Sequence, residues 1–150
     1  MHDIAGILTN RVVWCCFTAW FVAQAIKIPT YYLVEKKLDF SRFFGSGGMP
    51  SSHTALVVAL MIMVGATEGF DSSHFAMAMA FASIVMYDAT GVRRETGLQA
   101  QILNEILRKV FVDGQPISDD ELKELIGHTK IEVAGGVIVG LLTALAFILL

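Results

Sequence analysis

The stretch Gly47-Gly48-Met49-Pro50-Ser51-Ser52-His53-Thr54 holds the densest set of side chains able to act on an anion. Its two glycines supply a permissive turn, and a proline is at home in the first turn of a helix. Ser51, Ser52 and His53 are therefore expected at a helix N-terminus. Unpaired backbone N–H groups and the positive end of the helix dipole favour an anion there. The two serine hydroxyls can donate hydrogen bonds to an oxyanion, and His53 can donate a proton near neutral pH. A plain helix cap uses the same residue types, so the motif alone leaves both uses open.

A second group, Gly127-His128-Thr129-Lys130-Ile131-Glu132, sets His128 and Glu132 four apart, on one face of a helix. A carboxylate bonded to one ring nitrogen fixes the tautomer and leaves the other nitrogen to attack an electrophile. An ordinary surface pair is the alternative. The two residues would also make half of a divalent-metal site, but no third or fourth ligand stands at suitable spacing. Neither a metal nor another cofactor is expected.

The third group is Asp88-Ala89-Thr90-Gly91-Val92-Arg93-Arg94, at the end of an apolar run. An unpaired carboxylate is costly there, so Asp88 should have a partner. Arg93 and Arg94 offer planar donors that match phosphate geometry, although arginines beside a membrane also bind headgroups without further purpose. Lys27, Gln99 and Asn104 are further polar residues near helix ends that could support a site, and Lys27 could instead snorkel to the headgroups.

These residues are separated by apolar segments. Val12–Ala25, Ala55–Ala66, Phe75–Val85 and Val133–Leu150 are almost free of charge. The second and third fall short of the roughly 20 residues of a full crossing, but weakly polar flanks (Gly65, Ala66, Ser72, Ser73) could extend them. With 55% hydrophobic residues in 150 and a mean hydropathy of +0.62, the chain lacks the polar coat of a soluble helical bundle. The expected fold is all-α: one domain over residues 1–150, with about four transmembrane helices. Between the third and fourth, Leu98, Ile102, Ile106, Leu107 and Val110 recur at helical spacing, so Gly97–Val112 reads as an amphipathic helix. Ser118 and Glu121 form a capping-box signature for a short second one, with Leu122, Leu125 and Ile126 on one face. No internal repeat is present.

Two polar stretches, Glu35–Ser52 and Asp88–Glu132, carry nine of the eleven basic residues. With four crossings they emerge on one side, which the positive-inside tendency makes cytoplasmic. Arg11 lies against that bias. The reactive side chains would thus converge in one compartment. A net charge of −3 without a basic, aromatic-interleaved patch argues against a nucleic-acid partner. Cys15 and Cys16 are adjacent inside the first apolar run and have neither disulfide-scaffold nor zinc spacing. No basic start or small-x-small exit marks a cleavable leader, and no transit-like segment is evident, which favours a bacterial plasma membrane.

Taken together, the motifs resemble those of the type 2 phosphatidic acid phosphatase and vanadium haloperoxidase superfamily. Pro50-Ser51-Ser52-His53 resembles its Pro-Ser-Gly-His motif, and His128-x3-Glu132 its terminal His-x3-Asp. From Ala19-Trp20 and Gln24…Lys27 through GGMPSSHTA, YDATGVRR and GHTKIEV, the chain is similar to a small divergent branch of that superfamily. The resemblance implies that His128 is the nucleophile forming a phosphohistidine, that Glu132 orients it, and that His53 protonates the leaving alcohol. Ser51 and nearby backbone N–H groups would hold the phosphoryl oxygens.

The chain also departs from the pattern. Lys-x6-Arg-Pro becomes Lys36-x5-Arg42 without a proline, and Leu122 stands where an arginine precedes the final histidine. Ser52 replaces glycine and Glu132 replaces aspartate. Arg42, Lys36, Arg93 and Arg94 are the candidates to bind phosphate instead. Membrane members of the superfamily usually have more crossings, so a homodimer would complete the missing wall of the site. The leading expectation is metal-independent hydrolysis of a lipid phosphate or pyrophosphate. Its rival is a protein that binds or moves anionic lipid headgroups without cleaving them. Haloperoxidase chemistry does not follow from these residues.

Overall fold

The structure, a computed structural model, describes residues 6–43, 47–110 and 128–150. The described residues form α1 (Gly6–Thr9), α2 (Arg11–Glu35), a 3-10 turn (Phe40–Phe43), α3 (Ser52–Glu68), α4 (Ser73–Thr90), α5 (Val92–Val110) and α6 (Lys130–Leu149). The short helix expected around Ser118–Ile126 lies outside them.

Each apolar run becomes a helix whose start is capped by a polar side chain. The Asn10 side chain accepts from the Val12 and Val13 amides at 2.9 and 3.2 Å to open α2. Ser72 does the same for α4 through Phe75 N at 3.1 Å, and Thr129 for α6 through Glu132 N at 3.3 Å. Such caps satisfy amides that the helix itself leaves without carbonyl partners. α2 runs well past the apolar stretch that announces it, through Pro29, to a left-handed C-cap at Lys36 (φ 57°). Pro29 has no N–H to give the Ala25 carbonyl, and the helix nevertheless continues.

Three helical stretches are long and apolar enough to cross a membrane: Arg11–Glu35, Ser73–Ile106 and Lys130–Leu149. α3, the second of the four expected crossings, is shorter at 17 residues. It occupies the centre of the bundle and packs against α2, α4 and α6. The amphipathic helix begins earlier than its periodicity indicates, at Val92, because only Gly91 separates it from α4.

Burial follows the logic of a protein in lipid. The core is built from small residues: Ala19, Ala23, Ala55, Ala59, Ala82 and Ala144 are all fully buried. Large apolar side chains such as Phe17, Phe21, Ile84 and Leu142 point outward. Lipid tails are as apolar as leucine, so helices associate by close van der Waals fit rather than by hiding leucines from water. Gly136 and Gly140 carry this furthest: an added Cβ would lie 2.5 Å from the Ser51 and Ala55 carbonyl oxygens, respectively.

The helix ends sort into two layers. At one, the Arg11 guanidinium donates to the Phe147 carbonyl, placing a cation at the negative end of α6. The same layer holds the α3–α4 turn, with His74 Nδ1 2.6 Å from Glu68 Oε2. The other layer gathers the C-terminal part of α2, the start of α3, the end of α4 and the start of α6, and there the polar groups meet.

Candidate active site

His128 stands just before the Thr129 cap of α6, and the first helical turn returns Glu132 to the histidine. His128 Nδ1 lies 2.7 Å from Glu132 Oε2, and the imidazole is buried at 7% exposure. With Nδ1–H donating to the carboxylate, Nε2 keeps its lone pair. The His128 amide donates to the Ala89 carbonyl at 2.9 Å, which ties the histidine to the end of α4 beside Asp88.

The Gly47–Ser51 segment is held from two sides. Gly47 and Gly48 take φ values of 100° and 82°, a region open to glycine at no steric cost. The Thr30 hydroxyl on α2 donates to the Met49 carbonyl at 2.7 Å. The Ser51 amide donates to the Glu132 carbonyl at 2.9 Å. Pro50 and Met49 lie against Gly135 of α6, where an added Cβ would be 3.3 Å from Pro50. Ser51, Ser52 and Thr54 are all buried, and the Ser51 hydroxyl accepts from the Thr54 hydroxyl at 3.0 Å. The start of α3 and the start of α6 thus share one backbone hydrogen bond, and the serine motif sits directly beside the His128–Glu132 pair.

Lys27 belongs to this layer. It is 3% exposed and within electrostatic reach of Glu132, so its ammonium is held inside the bundle and does not snorkel to the headgroups. The reason is its position: α2 continues two further turns to Glu35, which leaves residue 27 within the helix rather than at its rim. Gln24, one turn earlier, is 5% exposed, and its Oε1 has no hydrogen-bond partner. Asn104 on α5 is buried at 4% exposure and Asp88 is half-buried.

The other candidates lie further out. His53 is exposed on the first turn of α3. Lys36 is exposed at the end of α2, nine residues and about 13 Å along the helix from Lys27. Arg94 and Gln99 are exposed on α5. Arg42 lies on the 3-10 turn and Arg93 on the first turn of α5, but their side chains lie outside the described part of the structure. Among the described residues, no group of three or more His, Cys, Asp and Glu side chains is placed to hold a metal ion.

Gln24, Thr30, Thr54 and the Gly136/Gly140 pair were not singled out as functional by sequence. Polar residues recurring every three positions from the end of the first apolar run onward (Gln24, Lys27, Thr30) are the pattern that points to an inward face. The spacing Gly136-x3-Gly140-x3-Ala144 is the corresponding sign of close helix contact.

Removing the Thr129 hydroxyl tests the local architecture. Thr129→Ala is expected to destabilise the protein by about 1 kcal/mol through loss of the α6 cap, measured as a lower melting temperature in detergent. An unchanged value would mean that α6 is anchored by Ser51 and Ala89 alone.

A family model described as the divergent PAP2 family matches residues 8–143. An uncharacterized membrane protein, YuiD, from Bacillus subtilis (strain 168) is 42% identical over 149 residues, covering 93% of this chain and 94% of its own length. No solved structure matches. With its long apolar helices, the chain is an integral membrane protein.

Proposed function

Since this chain belongs to the divergent PAP2 family, we propose that it removes phosphate from a membrane lipid phosphate or pyrophosphate through a phosphohistidine on His128. The observation that carries this reading is the buried His128 Nδ1–Glu132 Oε2 contact of 2.7 Å beside the N-terminus of α3. Simple headgroup binding has no need of a carboxylate that fixes one imidazole tautomer.

The chemistry runs in two steps. His128 Nε2 attacks phosphorus as the bond to the leaving oxygen breaks (the lipid alcohol's in a monophosphate, the inner phosphate's in a pyrophosphate), and His53 gives that oxygen its proton. Glu132 holds the Nδ1 proton and stabilises the positive charge the ring acquires. Water, deprotonated by His53, then cleaves the phosphorus–nitrogen bond, releasing inorganic phosphate and restoring both histidines. Ser51, Ser52 and the first amides of α3 stabilise the phosphoryl oxygens, which crowd with negative charge in the transition state. Lys27 supplies a buried cation from α2 that compensates for the arginine replaced by Leu122, with Arg42, Arg93 and Arg94 as further phosphate ligands. The basic residues at this end favour a cytoplasmic site, and the bacterial relative supports a plasma membrane.

Glu132→Gln keeps the size of the side chain but can donate to Nδ1, favouring the wrong tautomer. It is expected to lower kcat by about a hundred- to ten-thousand-fold with little change in KM. A change of less than threefold would remove Glu132 from this role.

The absent motif arginines favour one rival, a protein that binds anionic lipid headgroups without cleaving them. Phosphate release from a panel of lipid phosphates and pyrophosphates, with chelator and with orthovanadate, separates the two. Release that survives chelator and falls with vanadate supports the phosphatase. Lipid binding with no release from any member supports the binder.

A further inference from the structure

An apolar groove of about 160 Å³ runs between α2 and α3, lined by Val12, Val13, Cys16, Phe17, Leu56 and Leu60. Its walls are hydrocarbon apart from one thiol, and it lies within the membrane-crossing part of α2. Two of its residues share a helix face with the candidate general acid: His53, Leu56 and Leu60 are spaced i, i+3, i+7 on α3. Leu56 is one turn below His53, and Leu60 two turns, about 10 Å along the axis.

We infer that this groove receives a hydrocarbon chain of the lipid phosphate whose headgroup occupies the His128 site. The inference rests on the phosphatase reading for the headgroup and adds where the rest of the substrate lies. In that reaction the alcohol protonated by His53 is the part of the substrate that carries the tail. A tail leaving the phosphoryl group on the His53 side meets Leu56 and then Leu60 as it descends into the bilayer. Burying apolar chain against these side chains aligns the scissile bond, so the groove acts on chain length and not on headgroup chemistry.

The test uses the full-length protein in phosphatidylcholine nanodiscs and a phosphatidic acid carrying a mid-chain diazirine. Illumination is expected to attach the probe to peptides holding Cys16–Phe17 or Leu56–Leu60. Dioleoyl phosphatidic acid should compete, and added dioleoyl phosphatidylcholine should not. In parallel, Leu60→Trp fills the groove and should raise KM for dioleoyl phosphatidic acid at least tenfold more than it raises KM for the dihexanoyl lipid. Should Leu60→Trp fail to give monodisperse protein, Cys16→Phe is the second filling variant, and the crosslink is read on the unaltered chain.

Attachment elsewhere, or attachment displaced equally by phosphatidylcholine and so due to bulk lipid, would overturn the proposal. So would equal loss of both substrates in a folded filling variant. Competed attachment in the groove without turnover of any lipid would leave the groove standing and remove only the phosphatase.

Discussion

The His128→Ala protein is expected to lose phosphate release by at least about 10³-fold on every lipid the unaltered protein cleaves. Without the imidazole no atom is left to accept the phosphoryl group, and the serine motif can only hold the substrate. The protein should still fold. The His128 amide keeps its bond to the Ala89 carbonyl, and the Ser51 amide keeps its bond to the Glu132 carbonyl, since neither uses the ring. The expected stability cost is that of taking the imidazole from the Glu132 carboxylate, which keeps its hydrogen bonds to Thr129, on the order of 1–3 kcal/mol. Added imidazole offers a second readout: restored release, with the phosphoryl group appearing on free imidazole, would mark the residue as the nucleophile. Retained release in a folded His128→Ala protein would sink the assignment.

A larger structural effect is expected at Gly136. A methyl group there would sit 2.5 Å from the Ser51 carbonyl oxygen and 2.8 Å from Thr54 Cβ, and neither can swing aside because one is backbone and the other fully buried. Gly136→Ala should cost about 1–3 kcal/mol, as overpacking usually does, and should push the serine motif away from His128. Gly136→Val should prevent α3 and α6 from meeting, read as aggregated protein on size exclusion. Gly6→Ala, at a position with nothing within 4 Å, is the neutral comparison. A melting temperature for Gly136→Ala equal to that of Gly6→Ala would show that the two helices are not in contact as described.

The readable parts of the fold and site were those written in local spacing. Pro50-Ser51-Ser52 reads as a helix start, and α3 does open there with Ser51 as its cap, although Pro50 stands before the cap and not in the first turn. His128 and Glu132 do meet, as their spacing of four indicates, although His128 stands just before the Thr129 cap and only Glu132 lies on the helix. Lys27 was not readable in the same way. Its apolar run closes at Ala25 and Pro29 follows, so composition places the lysine at a helix end, whereas α2 carries it two turns inside. Lys27 itself is buried where α2 packs against α3 and α6, a contact that a hydropathy profile does not contain. The role of Gly136 was hidden for a similar reason: a glycine in a membrane helix signals close approach but does not say to what.

The Ser51–Glu132 main-chain hydrogen bond has one more consequence. It joins the two halves of the site through main-chain atoms that every substitution at residue 51 except proline leaves in place. Alanine in place of Ser51 would delete the hydroxyl while the distance between cradle and nucleophile stays set by the backbone. The same oxygen caps α3 and accepts from the Thr54 hydroxyl, so the alanine variant is also expected to lose about 1 kcal/mol of stability, and its turnover is to be compared with its melting temperature.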